Sequence, residues 1–496
     1  MGDPQRSDPA GRRGGGGMSA EFAIDPAEVR TWKRYPEYKD SGVEWLGKVP
    51  AGWEVKRFKF IARVRLSSVD KKSKEGEKGV MLCNYTDVYY NDRINKDLEF
   101  MKATASPEEI ASFTLRQGDL LITKDSEDWK DIAVPAHVDE DLDDVLCGYH
   151  LAQIRPDQKA ADSRYLFWSF NAHRVNHQFQ IAANGITRYG VGKYWIDNSS
   201  FLVPPLPEQH AIAAFLDRET ARLDALIGKK QRFIELLEEK RQALITRAVT
   251  KGLDPDVEMK DSGVEWLGEV PAGWAISRLG LISESLQTGP FGSQLHASEY
   301  IEDGIPVINP SNIQDGTIVP DPKCTVGDNT LKRLIRHRLT TGDIIFARRG
   351  DMGRCACIAR ETEGWLCGTG SIRIRLNESA HPEFVMTFLS TQGVKDYLLT
   401  ESVGSTMDNL NTSILSRIPV VLPPLAEQKA IMKRIIFGVG QIDEILSSVS
   451  ETVSKLHEYR TSLISAAVTG KIDVRGEVPA APCPSPPFTP CRRPDQ

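Results

Sequence analysis

Residues 39–53 read KDSGVEWLGKVPAGW, and residues 260–274 read KDSGVEWLGEVPAGW. The two boxes agree at fourteen of fifteen positions at an offset of 221, with Lys48 against Glu269 as the one difference. A second repeated pair lies downstream. FLVPPLPEQHAIAAFLDRETARLDALIGKKQRFIELLEEKRQALITRAVTKGLD begins at Phe201, and VVLPPLAEQKAIMKRIIFGVGQIDEILSSVSETVSKLHEYRTSLISAAVTGKID begins at Val420. They align without a gap at an offset of 219, pairing Glu208 with Glu427, Gln209 with Gln428, Asp224 with Asp443 and Arg241 with Arg460. A repeat of this length decides the architecture before any single motif does. The chain is two copies of one plan.

Between the repeated segments lie residues 54–203 and 275–422, which are mostly unlike each other. A framework survives in both. GDLLITKD at 118–125 matches GDIIFARR at 342–349, and LCGYHLAQIR at 146–155 matches LCGTGSIRIR at 366–375. The expectation is one head fold used twice with different surface residues. VMLCNYTDVYY, DLLITK, DIIFAR, SIRIRL and IPVVL read as short β runs. SRYLFWSFNAHRVNHQF and PEFVMTFLSTQGVKDYLL read as helical, which predicts α+β heads with a curved sheet at the centre of each.

Residues ~207–251 hold few helix breakers, and Pro207 suits a first turn. Ile212, Leu216, Leu223, Leu226, Phe233, Leu237, Leu244 and Ala248 form an apolar seam. Its counterpart is Ile431, Ile435, Ile442, Ile445, Val449, Val453, Leu456, Leu463 and Ala467. Such narrow stripes on helices of ~45 residues, roughly 65 Å long, need a partner. The predicted fold is therefore two similar globular α+β heads joined by two long antiparallel α-helices, a coiled-coil-like spacer with a pseudo-two-fold internal repeat. The predicted segments are a disordered tail at 1–20, a first head at 21–203, a first helix at 204–254, a second head at 255–422, a second helix at 423–475 and a Pro-rich disordered tail at 476–496.

The 496 residues carry a net charge of -6, with 40% hydrophobic and 26% charged residues. This excludes a uniformly basic nucleic-acid coat but not a local basic surface. No stretch approaches the ~20 apolar residues of a membrane span. Eight cysteines in a chain this long do not make a disulfide framework, and without a signal peptide reduced thiols in a cytoplasm are expected. Cys147 and Cys367, at equivalent framework positions, read as small buried hydrophobes. Cys483 and Cys491 fall in the Pro-rich tail.

A search for catalysis comes up short. Gly185 to Gly190 with Lys193 is a poor P-loop, because the Lys is displaced and no Ser or Thr follows it. No G-x-S-x-G elbow or H-E-x-x-H pair occurs. Cys355-Ala-Cys357 lacks a second pair at zinc spacing and reads as a core strand. Asn309-Pro310-Ser311-Asn312 is a faint echo of a methyltransferase loop, and Gly368-Thr369-Gly370 is framework. Asp125, Glu127 and Asp128 read as a solvated acidic loop. The expectation is no catalytic, cofactor or metal site in this chain.

The order box, head, helix, box, head, helix resembles the specificity subunit of type I restriction–modification systems, the HsdS family. The resemblance covers nearly all of 35–475. It is carried by the SGVEWLG boxes, the PPL.EQ.AI helix starts, the ends LITRAVTKGLD and LISAAVTGKID, and TGPFGSQL at 288–295 with GDIIFARRG at 342–350. It implies a cytoplasmic, non-catalytic DNA-binding subunit whose two heads each read half of a split double-stranded DNA site. It implies helices that space the heads and dock two methyltransferase subunits, which carry the S-adenosylmethionine. Motor–nuclease subunits join where the complex also restricts.

DNA specificity needs side chains at base edges, with phosphate contacts fixing register. Two heads about one helical turn apart, roughly 34 Å, would meet one side of the duplex. Unlike heads predict an asymmetric site. Candidate contacts in the first head are Lys124, Lys130, Arg188, Tyr189 and Lys193. In the second they are Ser293, Gln294, His296, Arg348, Arg349, Asn409 and Asn411. Asp139, Glu140, Asp141, Asp143 and Asp144 should face away from phosphates. Trp45, Trp53, Trp266 and Trp274 recur in both boxes, so they cannot distinguish half-sites and should pack the boxes against the helices or meet a common partner. Glu208 and Glu427 suit the positive ends of helices. A protein-assembly scaffold that reads no bases is the alternative, and a self-contained DNA enzyme a third.

Overall fold

The computed structural model describes residues 32–314, 316–350, 353–402 and 410–477. The expected tail at 1–20, and all but the first two residues of the expected tail at 476–496, with Cys483 and Cys491, lie outside the described residues. The chain divides into two compact units, Met1–Arg232 with Val449–Gln496, and Phe233–Ser448.

In the first unit a five-stranded sheet runs in the order Ala62–Leu66, Leu151–Pro156, Leu120–Thr123, Pro135–Val138, Arg93–Ile94. A four-stranded sheet orders Met101–Ala105, Lys78–Cys83, Leu142–Cys147, Thr114–Leu115. The second unit has a sheet of Ser283–Thr288, Ser371–Leu376, Ile344–Ala347 and Cys355–Cys357. Its companion holds Tyr300–Ile301, Thr325–Val326, Ile305–Ile308 and Leu366–Cys367. Each head is thus α+β, but with two main sheets where the sequence suggested one.

The run VMLCNYTDVYY is only half strand. The strand stops at Cys83, and Asn84 caps a helix, Tyr85–Tyr90, whose Asp87 carboxylate accepts the Asn84 backbone N–H at 2.6 Å. An Asx cap followed three residues later by an acid is a helix start, and it overrides the β propensity of the tyrosines. The longer helical runs each form two helices, Ser163–Asn171 with His173–Ala182, and Pro382–Leu389 with Gln392–Ser402.

Both long helices are present, Leu206–Lys251 and Leu425–Val468, of 46 and 44 residues. Every residue of the two seams is buried or half-buried. In the first unit Leu216, Leu223 and Ile227 share a core with Leu456 and Leu463, and Arg460 donates to both oxygens of Asp224 at 2.8 and 3.2 Å. In the second unit the same repeat positions meet in the other sense, Arg241 donating to Asp443 at 3.0 Å. There the approach of Gly438 to Leu244 shows the two segments running in opposite directions.

The boxes explain the helix starts. Each box folds as a short antiparallel pair, Tyr38–Asp40 with Lys48–Pro50 and Met259–Asp261 with Glu269–Pro271. Trp53 and Trp274 are buried, and their indole N–H groups donate to Glu208 and Glu427 at 3.1 and 3.0 Å. The expected packing of these two tryptophans is what the fold shows, and the glutamates serve as indole acceptors. The neighbouring glutamines are fully buried. Gln209 accepts from Asp162 N at 2.8 Å and donates to Ala160 O and Pro204 O at 3.1 and 2.8 Å. Gln428 repeats this with His381 N, Ser379 O and Pro423 O at 2.7, 3.1 and 2.8 Å.

In the first unit the segment after the second helix completes the box. Tyr38 donates to Gly470 O at 3.0 Å, Asp473 N to Lys33 O at 2.7 Å, and Tyr35 to Glu208 at 2.5 Å. In the second unit continuous chain from 250 to 263 occupies the matching sequence positions.

Gln209→Leu leaves a buried amide N–H and two carbonyls unpaired, and should destabilise the first unit by about 2–3 kcal/mol. Urea unfolding followed by tryptophan fluorescence measures it, and an unshifted midpoint refutes the clamp. Burial first, then the bond to Glu208, pushes the Tyr35 phenol well above its usual range. Its contribution to stability is complete below the unfolded value of about 10 and is lost as pH rises beyond that. Tyr35→Phe should flatten the alkaline decline of stability.

Candidate nucleic-acid interface

The heads share a framework that holds their surfaces in matched positions. Asp119 and Asp343, each 1% exposed at the side chain, are gripped by Arg155 and Arg375 through pairs of 2.7 Å hydrogen bonds. These are the Asp of the GD turn and the Arg closing the LCG segment, so the two matching stretches bind each other. Gly148 and Gly368 lie so close to the neighbouring strand that a Cβ would stand 2.6 Å from Cys83 O or 2.7 Å from Ile308 O. Cys147 and Cys367 are buried in these strands, as expected, and burial raises both thiols, Cys367 to about 12.

Onto this framework each head places a cation just past its central strand. Lys124 follows Leu120–Thr123, and Arg348 follows Ile344–Ala347. The backbone around them is tied alike. Lys124 N donates to His150 O at 3.1 Å and its carbonyl accepts Val191 N at 2.8 Å; Arg348 N donates to Gly370 O and its carbonyl accepts Leu410 N, both at 3.0 Å. The side chains differ. Lys124 Nζ donates to Ser67 O at 3.1 Å and lies 4.3 Å from the centroid of the half-exposed Tyr149 ring, and burial lowers its pKa. Arg348 Nε donates to Leu410 O at 3.2 Å, and the exposed Arg349 stands beside it.

Three first-head candidates come together. Asp125–Ser126 pairs antiparallel with Tyr189–Gly190, which brings Lys124, Arg188 and Tyr189 to one edge. Asp125 is not the solvated acid that sequence suggested. It accepts His150 Nδ1 at 2.7 Å and pairs with Arg188 Nε at 3.0 Å, leaving its side chain 18% exposed. Asp125, Tyr149 and His150 are the residues sequence reasoning missed. The matched LCG segments were the available signal, because they place 149–150 beside 124–125.

Lys130 is exposed, with its ammonium 5.9 Å from the Trp129 ring and its carbonyl accepting Gln180 Nε2 at 3.1 Å. Lys193 is exposed in a one-turn helix start and pairs with Asp197. In the second head Ser293, Gln294 and His296 form a separate group after Ser283–Thr288. Ser293 is exposed. Gln294 Oε1 accepts Phe291 N at 3.2 Å, and its carbonyl accepts Arg333 at 2.6 Å. His296 begins a single turn, its N–H donating to Glu299 at 2.9 Å. Asn411 caps Thr412–Arg417, its Oδ1 accepting Ile414 N at 2.9 Å, so that oxygen is engaged in the fold. Asn409 lies outside the described residues.

The acidic run is occupied by local partners. Asp139 accepts from His137 and Arg93, Glu140 from Lys96 N, Asp141 from Gln117 N and Asp143 from Arg116. Trp45 packs on the first core. Trp266 packs on Phe388 and Tyr397, with ring centroids 6.2 and 6.1 Å apart.

Comparison with known proteins gives one family. The type I restriction modification DNA specificity domain matches twice, over residues 50–236 and 271–443. The type I restriction enzyme MjaVIII specificity subunit of Methanocaldococcus jannaschii is 23% identical over 439 residues, 86% of this chain and 95% of that protein. The EcoKI specificity subunit of Escherichia coli K12 is 23% identical over 284 residues, 54% of this chain and 57% of that one. Among solved structures, the HsdS subunit of Thermoanaerobacter tengcongensis has a TM-score of 0.52 at 18% identity, covering 86% of this chain and 98% of that one. A structure described as the basis of complex assembly and conformational transition of the type I R-M system has a TM-score of 0.62 at 18% identity, covering 86% and 99%. These two likenesses concern the fold.

Proposed function

We propose the following role for the chain, which belongs to the type I restriction modification DNA specificity family: it is the non-catalytic specificity subunit of a type I restriction–modification complex. Its two heads recognise an asymmetric, bipartite double-stranded DNA site. The long helices act as an antiparallel spacer between the heads and as docking surfaces for two methyltransferase subunits, which bring the S-adenosylmethionine. Where the complex also cleaves, motor–nuclease subunits join it.

One observation carries the reading. A single backbone framework presents Lys124, Tyr149, His150 and Asp125 in one head and Arg348, Gly370 and Arg349 at the matching places in the other. Equal frameworks with unlike side chains suit two different half-sites. Lysine and arginine at these edges can serve phosphates, and arginine can also pair bidentately with guanine O6 and N7. The net charge of -6 requires that binding use such local patches, with further contact from the partners. Among the described residues no helix is long and apolar enough to cross a membrane.

Exchanging residues 54–203 for another head should change one half of the methylated motif and leave the other half intact. Sequence-resolved mapping of methyladenine in DNA treated with the reconstituted complex tests this; a change in both halves, or in neither, rejects the modular reading. Arg349→Ala should weaken binding about equally across sequences and lower the slope of log affinity against log salt by about one, the signature of one phosphate contact. A changed motif would instead make Arg349 a base reader.

A further inference from the structure

The loop Asn184–Gly190 of the first head is fastened at its base by two 3.0 Å hydrogen bonds, Asn184 N to Gly190 O and Gly190 N to Asn184 O. Inside it, Gly185 has φ +156° and lies so close to the facing backbone that a Cβ would stand 1.8 Å from Arg188 O. No other residue type fits there without reshaping the loop. The segment is a closed finger.

At its tip Ile186 is 96% exposed. An isoleucine this bare contributes nothing to its own core. One side chain is also far too small to anchor a protein–protein interface, which takes about 800 Å² from each partner. Its surroundings favour an anionic, acceptor-rich partner. Arg188, two residues on, meets Asp125 through Nε at 3.0 Å, so one side of its guanidinium is held by the fold. Asp125 also holds His150, and Lys124 stands over Tyr149 beside them.

We propose that loop 184–190 is a base-contacting finger of the first head. Ile186 seats its apolar side chain in a DNA groove against a thymine methyl or a base step. Arg188 pairs through its Nη fork with guanine, and Asp125 is the positioning residue that aims it. The proposal deepens the specificity-subunit reading and rests on it.

The test uses the full complex reconstituted with methyltransferase subunits and a plasmid library of random sequence, with methyladenine mapped by sequencing. Rates are then measured on a duplex bearing the wild-type motif. Arg188→Ala and Asp125→Asn should relax one position of the first half-site, with roughly 10- to 100-fold loss of discrimination there for Arg188→Ala. Ile186→Ser, at a solvent-exposed tip, should slow methylation at least about 5-fold, with the second half-site unchanged. Arg188→Lys keeps the charge and loses the fork, so it should relax the same position. A uniform loss of affinity with an unaltered motif would make Arg188 a phosphate contact and overturn the proposal. So would wild-type behaviour of both Ile186→Ser and Arg188→Ala. A wild-type complex with no bipartite motif would instead overturn the specificity reading itself, and the finger with it.

Discussion

A fully buried primary amide offers the fold little choice. It must find acceptors for its N–H groups and a donor for its oxygen, and any left unmet costs about 1–3 kcal/mol. Gln209 and Gln428 meet this demand by joining three places at once: the turn before a head helix, the proline pair that ends the head's last strand, and the first turn of a long helix. The residue before each glutamine fixes the box through its tryptophan. The dipeptide Glu-Gln therefore settles where the helix starts, how the box lies on it and which way the head enters it. Everything else in each unit hangs on that junction.

The same economy appears inside the heads. The Asp–Arg pairs that close the framework are buried on the carboxylate side and bidentate, so removal of the arginine strands a buried carboxylate. Rigid support of this kind frees the flanking positions. Once 118–123 and 342–347 are pinned, residues 124–125 and 348–349 can vary in charge without moving the backbone that carries them. Lys-Asp in one head and Arg-Arg in the other are two uses of one mount.

What sequence made legible follows from where the information is local or duplicated. The boxes, the helix seams and the Asp224–Arg460 and Arg241–Asp443 positions were visible because each occurs twice or at helical spacing. Two sheets per head were not visible, since strand pairing joins residues such as Cys83 and Cys147 across long separations and leaves no local period. The helix at Tyr85–Tyr90 was hidden by tyrosines that favour strands, although Asn84 and Asp87 carried the cap. The site was harder still. Asp125 looks like one acid in a polar run, and only the tertiary fold brings His150 and Arg188 to it.

Lys130, Lys193 and Ser293 are candidate contacts that residue type alone picks out. Each is a polar residue of the kind that meets DNA, and each is exposed. Exposure makes a contact available but does not aim it. Discrimination between bases needs a side chain whose direction is set before the DNA arrives, because a freely rotating cation satisfies any phosphate equally well. Arg188 has such a constraint in Asp125, Lys124 has one in Ser67 and Tyr149, and Arg348 has one in Leu410. On the role proposed for the heads, specificity rests on held cations, and Lys124 and Arg348 are carried by the framework that the two heads share.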